Sequence, residues 1–290
     1  MGNPCLARWT RLLIIGALAL IAALPLPSAA VRPAVPPPAL PVPPTIDPGD
    51  ENWSAQFRYP GINGKVAAIV VAPNGDVYAG GTFSQADDER ALGVARWDGE
   101  RWHALGAGIG GGGLDGDCCF EVEALALGPD GSLYAGGRFE KAGGITVNHI
   151  ARWDGSQWHS LGAGVSRPEL SSDTAVEAIA VDQQGSVYAT GRFTRAGGVT
   201  VNHLARWDGS QWHALAGLTG RAGALAVGPD GDLYASGQFT QASGITGRIA
   251  RWDGSQWHEL GAGPGTLVSI SEIKFDQAGT LYAAGSFHNF

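Results

Sequence analysis

Residues 122–161 read VEALALGPDGSLYAGGRFEKAGGITVNHIARWDGSQWHSL, and this stretch decides the fold. Val122 to Gly128 is an apolar run, Pro129-Asp130-Gly131 a turn, and Ser132 to Phe139 a second run. Lys141 to Thr146 reads as a longer loop, Asn148 to Trp153 as a third strand, and Gln157 to Leu161 as a fourth. Asp154-Gly155 between aromatic-rich runs is a strong hairpin signal, because Asp and Gly tolerate positive φ. That turn puts Trp153 and Trp158 on one face of the pair, so the two indoles are expected to touch across the strands.

The unit recurs. Its tyrosines are Tyr78, Tyr134, Tyr188, Tyr234 and Tyr282, spaced by 56, 54, 46 and 48 residues. The tryptophan pairs are Trp97/Trp102, Trp153/Trp158, Trp207/Trp212 and Trp252/Trp257. Four-stranded units at this period predict an all-β protein, a β-propeller. The blade units fall near 66–106, 122–162, 176–216, 223–261 and 270–290. The last has only two strands, and residues 51–57, with Trp53, resemble a final strand. Five blades are expected, the ring being closed by pairing that N-terminal strand with the partial blade, which would remove exposed sheet edges.

Composition agrees. Among 290 residues there are 45 Gly and 10 Trp, and only 16% are charged, which suits short strands and tight turns and disfavours helical bundles. The net charge of −8 comes without a basic stripe, so nucleic acid is not an expected partner.

The amino terminus reads as processing information. Arg8 and Arg11 precede the apolar run Leu12 to Leu24, and Ser28-Ala29-Ala30 gives a small-residue cleavage site. Residues 1–30 are therefore a signal peptide, with an uncleaved anchor as the alternative, and the mature chain is expected to have no membrane span. Cleavage removes two arginines and no acid, taking the net charge from −8 to −10. Residues 31–50 are proline-rich and read as a semi-rigid linker, reaching on the order of 55 Å when extended. The expected location is secreted or cell-surface, with a possible envelope tether.

Tyr-Ala-Gly-Gly-Arg-Phe followed by Ala-Arg-Trp-Asp-Gly-Ser-Gln-Trp resembles the kelch repeat. It is similar also to the kelch-type propellers of fungal cortical polarity markers and secreted bacterial proteins. The resemblance spans Trp53 to Phe290 and implies the fold. Tryptophan replaces the usual tyrosine, and Thr190, Ser236 and Ala284 replace the first glycine of the pair. Kelch relatives include a copper oxidase and many adaptors, so the resemblance does not select a function.

Residues that repeat are framework, and residues that break the repeat are candidates for function. His103, His159, His213 and His258 follow the second Trp of each complete unit and read as structural, as do the matched His149 and His203. Zinc-binding, nucleophile-elbow and P-loop spacings are absent from the sequence, so no catalytic residue is assigned. The inter-blade loops carry Asp115, Asp117, Arg167, Glu169 and Arg221, the expected partner contacts. Glu123, Glu177 and Glu272 start first strands and could ring one mouth and hold Ca²⁺, or be solvated strand-edge residues. Cys118 and Cys119 could form a vicinal disulfide, pair with another chain, or stay free. No cofactor is expected apart from that Ca²⁺. The reading is a non-catalytic propeller presenting variable loops to an extracellular protein or glycan. The alternatives are a lectin with sites between blades and a galactose-oxidase-like or lyase-type enzyme.

Overall fold

The computed structural model describes residues 61–110, 120–169, 173–241, 249–260, 266–276 and 278–288. The signal segment, the linker, the Trp53 strand, Asp115, Asp117, Cys118 and Cys119 lie outside the described residues. No α-helix occurs among the described residues, and the chain is an all-β propeller.

Blade 1 is an antiparallel meander of Lys65–Val71, Val77–Thr82, Val94–Trp97 and Trp102–Ala104. Blade 2 repeats it with Glu121–Leu127, Leu133–Arg138, Ile150–Trp153 and Trp158–Ser160. Blade 3 uses Ala175–Val181, Val187–Arg192, Leu204–Trp207 and Trp212–Ala214. Blade 4 uses Leu218–Val227, Leu233–Gln241, Ile249–Trp252 and Trp257–Glu259. The two strands Thr266–Phe275 and Leu281–His288 follow as blade 5. First strands of successive blades lie against one another and form the hub.

Two features depart from the expected strand map. The third strand of blade 2 starts at Ile150, because Asn148 and His149 have φ of 51° and 73°, which ends an extended run. The stretch expected as a loop is a hairpin, Lys141–Ala142 with Ile145–Thr146, paired to Ile109–Gly110 leaving blade 1. The same ribbon recurs one blade on, where Val165–Ser166 pairs with Arg195–Ala196. These ribbons tie each loop to the preceding blade.

The first strands of blades 1 to 4 each carry a one-residue bulge, between Val66 and Ala68, Val122 and Ala124, Val176 and Ala178, and Ala222 and Ala224. Opposite it the second glycine of the motif is required: a Cβ on Gly137 would lie 2.0 Å from the Glu121 carbonyl oxygen. The first glycine serves blade-to-blade packing, since a Cβ on Gly136 would lie 2.5 Å from Val176 Cγ1 of blade 3. In blade 3 that position is Thr190, fully buried, and its hydroxyl donates to His203 O at 2.9 Å. The residue facing it in blade 4 is Ala222 in place of valine, and its carbonyl lies 3.2 Å from the same hydroxyl. Volume moved from one side of the interface to the other, as close packing demands.

The tryptophan pairs meet as expected. Trp153 pairs directly with Trp158, with ring centroids 5.4 Å apart and tilted by 52°. The second indole also reaches back: Trp158 Nε1 donates to Leu105 O at 2.9 Å, and Trp212 Nε1 to Leu161 O at 2.8 Å. Each bond crosses a blade boundary. The pair is thus an inter-blade staple, which explains its recurrence.

The first and last blades differ from the rest. Val122 and Val176 are fully buried by the preceding blade, whereas Val66, at the same position in blade 1, is 37% exposed. Ile179 and Ile273 are nearly buried, whereas Ile69 is 60% exposed. In blade 5, Glu272 and Lys274 stand where interior blades have alanines, and Tyr282 is exposed where Tyr134, Tyr188 and Tyr234 are buried.

Candidate functional site

The repeated histidines are turn clamps. In Trp-Asp-Gly-Ser-Gln-Trp-His, Asp154 Oδ1 accepts from the amides of Ser156 and Gln157, both at 2.8 Å, while its Oδ2 meets His159 Nε2 at 2.6 Å. The same arrangement recurs at Asp98/His103, Asp208/His213 and Asp253/His258. The His bond first, then the turn amides, hold Asp154, Asp208 and Asp253 well below the usual carboxylate range. For Asp98 the Arg101 amide leads. Burial pushes the His149 imidazole below its ordinary value, and His203 Nδ1 sits 3.2 Å from the Gly191 carbonyl oxygen. These rings serve corners and turns.

The repeat-breaking charges converge elsewhere. Glu123 and Glu177 are the extra residues of the bulges in blades 2 and 3, so both carboxylates come to the loop end of the hub. Between them lies Arg192, the last residue of blade 3's second strand. Its Nη2 is 3.3 Å from Glu123, its Nη1 3.1 Å from Asp173, and its Nε 3.1 Å from Glu177, the last out of line for a hydrogen bond. Arg221 of blade 4 completes Glu177 from the other side at 3.3 Å. Arg167 lies 3.9 Å from Asp173, and Glu169 accepts from the Thr194 hydroxyl at 3.4 Å. Burial raises the Glu123 carboxyl, with Arg192 opposing the rise.

Four of the residues singled out by sequence, Arg167, Arg221, Glu123 and Glu177, therefore lie in one cluster drawn from blades 2, 3 and 4, while Glu169 reaches only Thr194, two residues from Arg192. Arg192 and Asp173 were missed. Arg192 belongs to a repeated Gly-Arg-Phe and so looked like framework, although only blades 2 and 3 have arginine there. The third carboxylate of the expected cation ring is elsewhere. The bulge of blade 5 between Ile270 and Glu272 makes Ser271 the equivalent of Glu123, and puts Glu272 at the position of Ala124. A one-residue shift turns a strand side chain to the opposite face. Glu272 accordingly pairs with Lys274 at 3.1 Å, in solvent. Among the described residues no three of His, Cys, Asp or Glu lie close enough together to hold a metal ion.

A second feature is a cleft of about 440 Å³ between blades 2 and 3, at the turn end. Tyr134, Arg152 and His159 lie side by side on blade 2, in register across its strands, and form one wall. Gln183, Gln184 and Trp207 of blade 3 form the other.

Several solved structures match this chain at low identity. A streptogramin B lyase matches at 14% identity over 76% of this chain and 61% of that one, with a TM-score of 0.42. A gluconolactonase from Xanthomonas campestris matches at 16% over 75% and 68%, TM-score 0.43, and YCF48 bound to D1 peptide at 13% over 77% and 77%, TM-score 0.40. The chain thus spans about three fifths of the lyase's length. At such identities and scores, no chemistry passes from these proteins to this chain. No curated protein matches it. A family model described as a domain of unknown function (DUF5122) beta-propeller matches residues 128–153, from the first turn of blade 2 to its first tryptophan.

Proposed function

We propose that this chain is a secreted or surface-tethered, non-catalytic β-propeller that presents the loop end of its blades to an extracellular protein or glycan. The observation that carries the reading is the charged cluster around Arg192, built from blades 2, 3 and 4 by charges that not every blade carries. Its acids face guanidinium groups, an arrangement suited to matching a charged partner surface rather than to activating a nucleophile. The histidines that could act as general bases are engaged in the turns. In this reading residues 1–30 direct export, residues 31–50 act as the tether, and the kelch-type resemblance bears on fold alone. Ca²⁺ has no part in it, because Glu123 and Glu177 already meet arginines.

The test begins with capture of a partner from the extracytoplasmic fraction by the full chain. The purified partner is then titrated against Arg221→Glu and Glu169→Lys, two exposed positions at which folding should survive. An affinity loss of about tenfold in either variant, larger at low salt, is expected. Unchanged affinity in both would sink the loop-end reading, and chelator-sensitive turnover of a sugar or lactone would revive the enzyme alternative. The lectin alternative has one observation in its favour, the polar cleft between blades 2 and 3 with Trp207 on its wall.

A further inference from the structure

We infer that the cleft between blades 2 and 3 is a single binding site for a neutral, hydroxyl-rich ligand, a saccharide held through vicinal hydroxyls. The inference rests on the binding-module reading but on a different end of the blades from the Arg192 cluster.

Every complete blade carries an arginine at one register position, opposite the repeated tyrosine: Arg96, Arg152, Arg206 and Arg251. What differs is how each is satisfied. Arg96 lies 3.1 Å from Asp76, and Arg251 lies 3.3 Å from Asp232. The residue at those aspartate positions is Ser132 in blade 2 and Ser186 in blade 3. Arg206 donates to the Ser186 hydroxyl at 2.9 Å. The Ser132 hydroxyl is turned to Asp130, donating to it at 2.8 Å, and does not take up Arg152 as Ser186 takes up Arg206. Arg152 is left with the Tyr134 oxygen and a looser electrostatic attraction to Asp130, with no ion pair to a carboxylate among the described residues.

The facing walls differ too. Asp232 of blade 4 acts on Tyr188, the blade 3 equivalent of Tyr134, so at that boundary the next blade brings a carboxylate. Blade 3 presents Gln183 and Gln184 instead, both exposed. The cleft of blades 2 and 3 therefore combines a guanidinium with donors to spare, a carboxylate with acceptor capacity beyond its two Ser132 bonds, two amides and the edge of an indole. An acid and a base held near each other but not joined fit a diol, in which one hydroxyl donates to Asp130 and its neighbour accepts from Arg152. The two charges cancel, which favours an uncharged ligand, and the volume of about 440 Å³ takes one or two sugar rings.

The experiment titrates the full purified chain with methyl α-glucoside, methyl α-mannoside and methyl β-galactoside, following the indole ¹H–¹⁵N signals by NMR. At least one glycoside is expected to saturate and shift the Trp207 signal. Arg152→Gln and Gln184→Ala should each weaken it about tenfold. Arg96→Gln, at the equivalent place in blade 1, should leave the affinity unchanged. Gln184 lies on an exposed turn, so its variant retains the fold even if Arg152→Gln does not. Saturation by no glycoside overturns the inference and leaves the loop-end reading to its own charge-reversal test. Binding that neither variant weakens also overturns it, with a saccharide site elsewhere on the propeller.

Discussion

Arg192 is the residue on which the charged cluster turns. Its removal by Arg192→Met would leave Glu123 and Glu177 facing across a half-buried space with one arginine fewer. Breaking such a pair costs about 1–3 kcal/mol at neutral pH, less than for a fully buried one because solvent still reaches it. The pH dependence follows from Glu123. Burial already raises its carboxyl above the unfolded value, and losing Arg192 raises it further. A raised carboxyl makes its ionised form the unfavourable one in the folded state. The deficit is therefore greatest above the folded pKa and shrinks as pH falls toward the unfolded value of about 4.3. Urea melts of Arg192→Met and wild type at several pH values should converge on acidification. A gap independent of pH would show that Arg192 acts by packing alone. The turn aspartates have the opposite sign: their depressed carboxyls contribute stability above the unfolded pKa that is lost as pH falls through the folded one.

At the scale of the element, the staple between blades makes a sharper distinction than burial does. Trp212 and Trp257 are both nearly buried and occupy the same strand position. Trp212 Nε1 bonds Leu161 O, whereas Trp257 Nε1 is buried with no partner among the described residues. The segment that would supply the acceptor differs, Leu215-Ala216-Gly217-Leu218 replacing Leu161-Gly162-Ala163-Gly164. Trp212→Phe should cost about 1–2 kcal/mol more than Trp257→Phe, since it strands a carbonyl as well as losing volume. Equal losses in denaturant melts would mean that the indole bond contributes nothing. The strand pairs, Asp-Gly turns and tryptophan contacts were legible in the repeat, because each depends on residues a few positions apart. The bulge was not. A strand start read from the sequence does not show it, so Glu272 reads there as the counterpart of Glu123, one position off the paired register.

Across the whole molecule, the blades at the two ends of the array are not equivalent to those between. Ile69 is 60% exposed and Ile179 8%. Ile179→Ala should cost about 2–4 kcal/mol, the price of a core cavity, while Ile69→Ala should cost well under about 1 kcal/mol. Comparable losses would show that another surface covers blade 1 in solution. The sequence by itself determined the blade: four short strands, their turns, the indole contact and the rule that repeated histidines are framework. It did so because turn chemistry and strand alternation are local, and repetition multiplies a weak signal. Only the tertiary structure decided which charges meet. Arg192 lies between carboxylates 69 and 15 residues away because blades 2 and 3 are neighbours and their bulges aim both acids at the hub. Arg152 stands apart from its equivalents because the Ser132 hydroxyl is turned to Asp130 rather than to the guanidinium, and because blade 3 faces it with amides. Distances between side chains on different blades depend on how sheets stack, and no spacing along the chain encodes that.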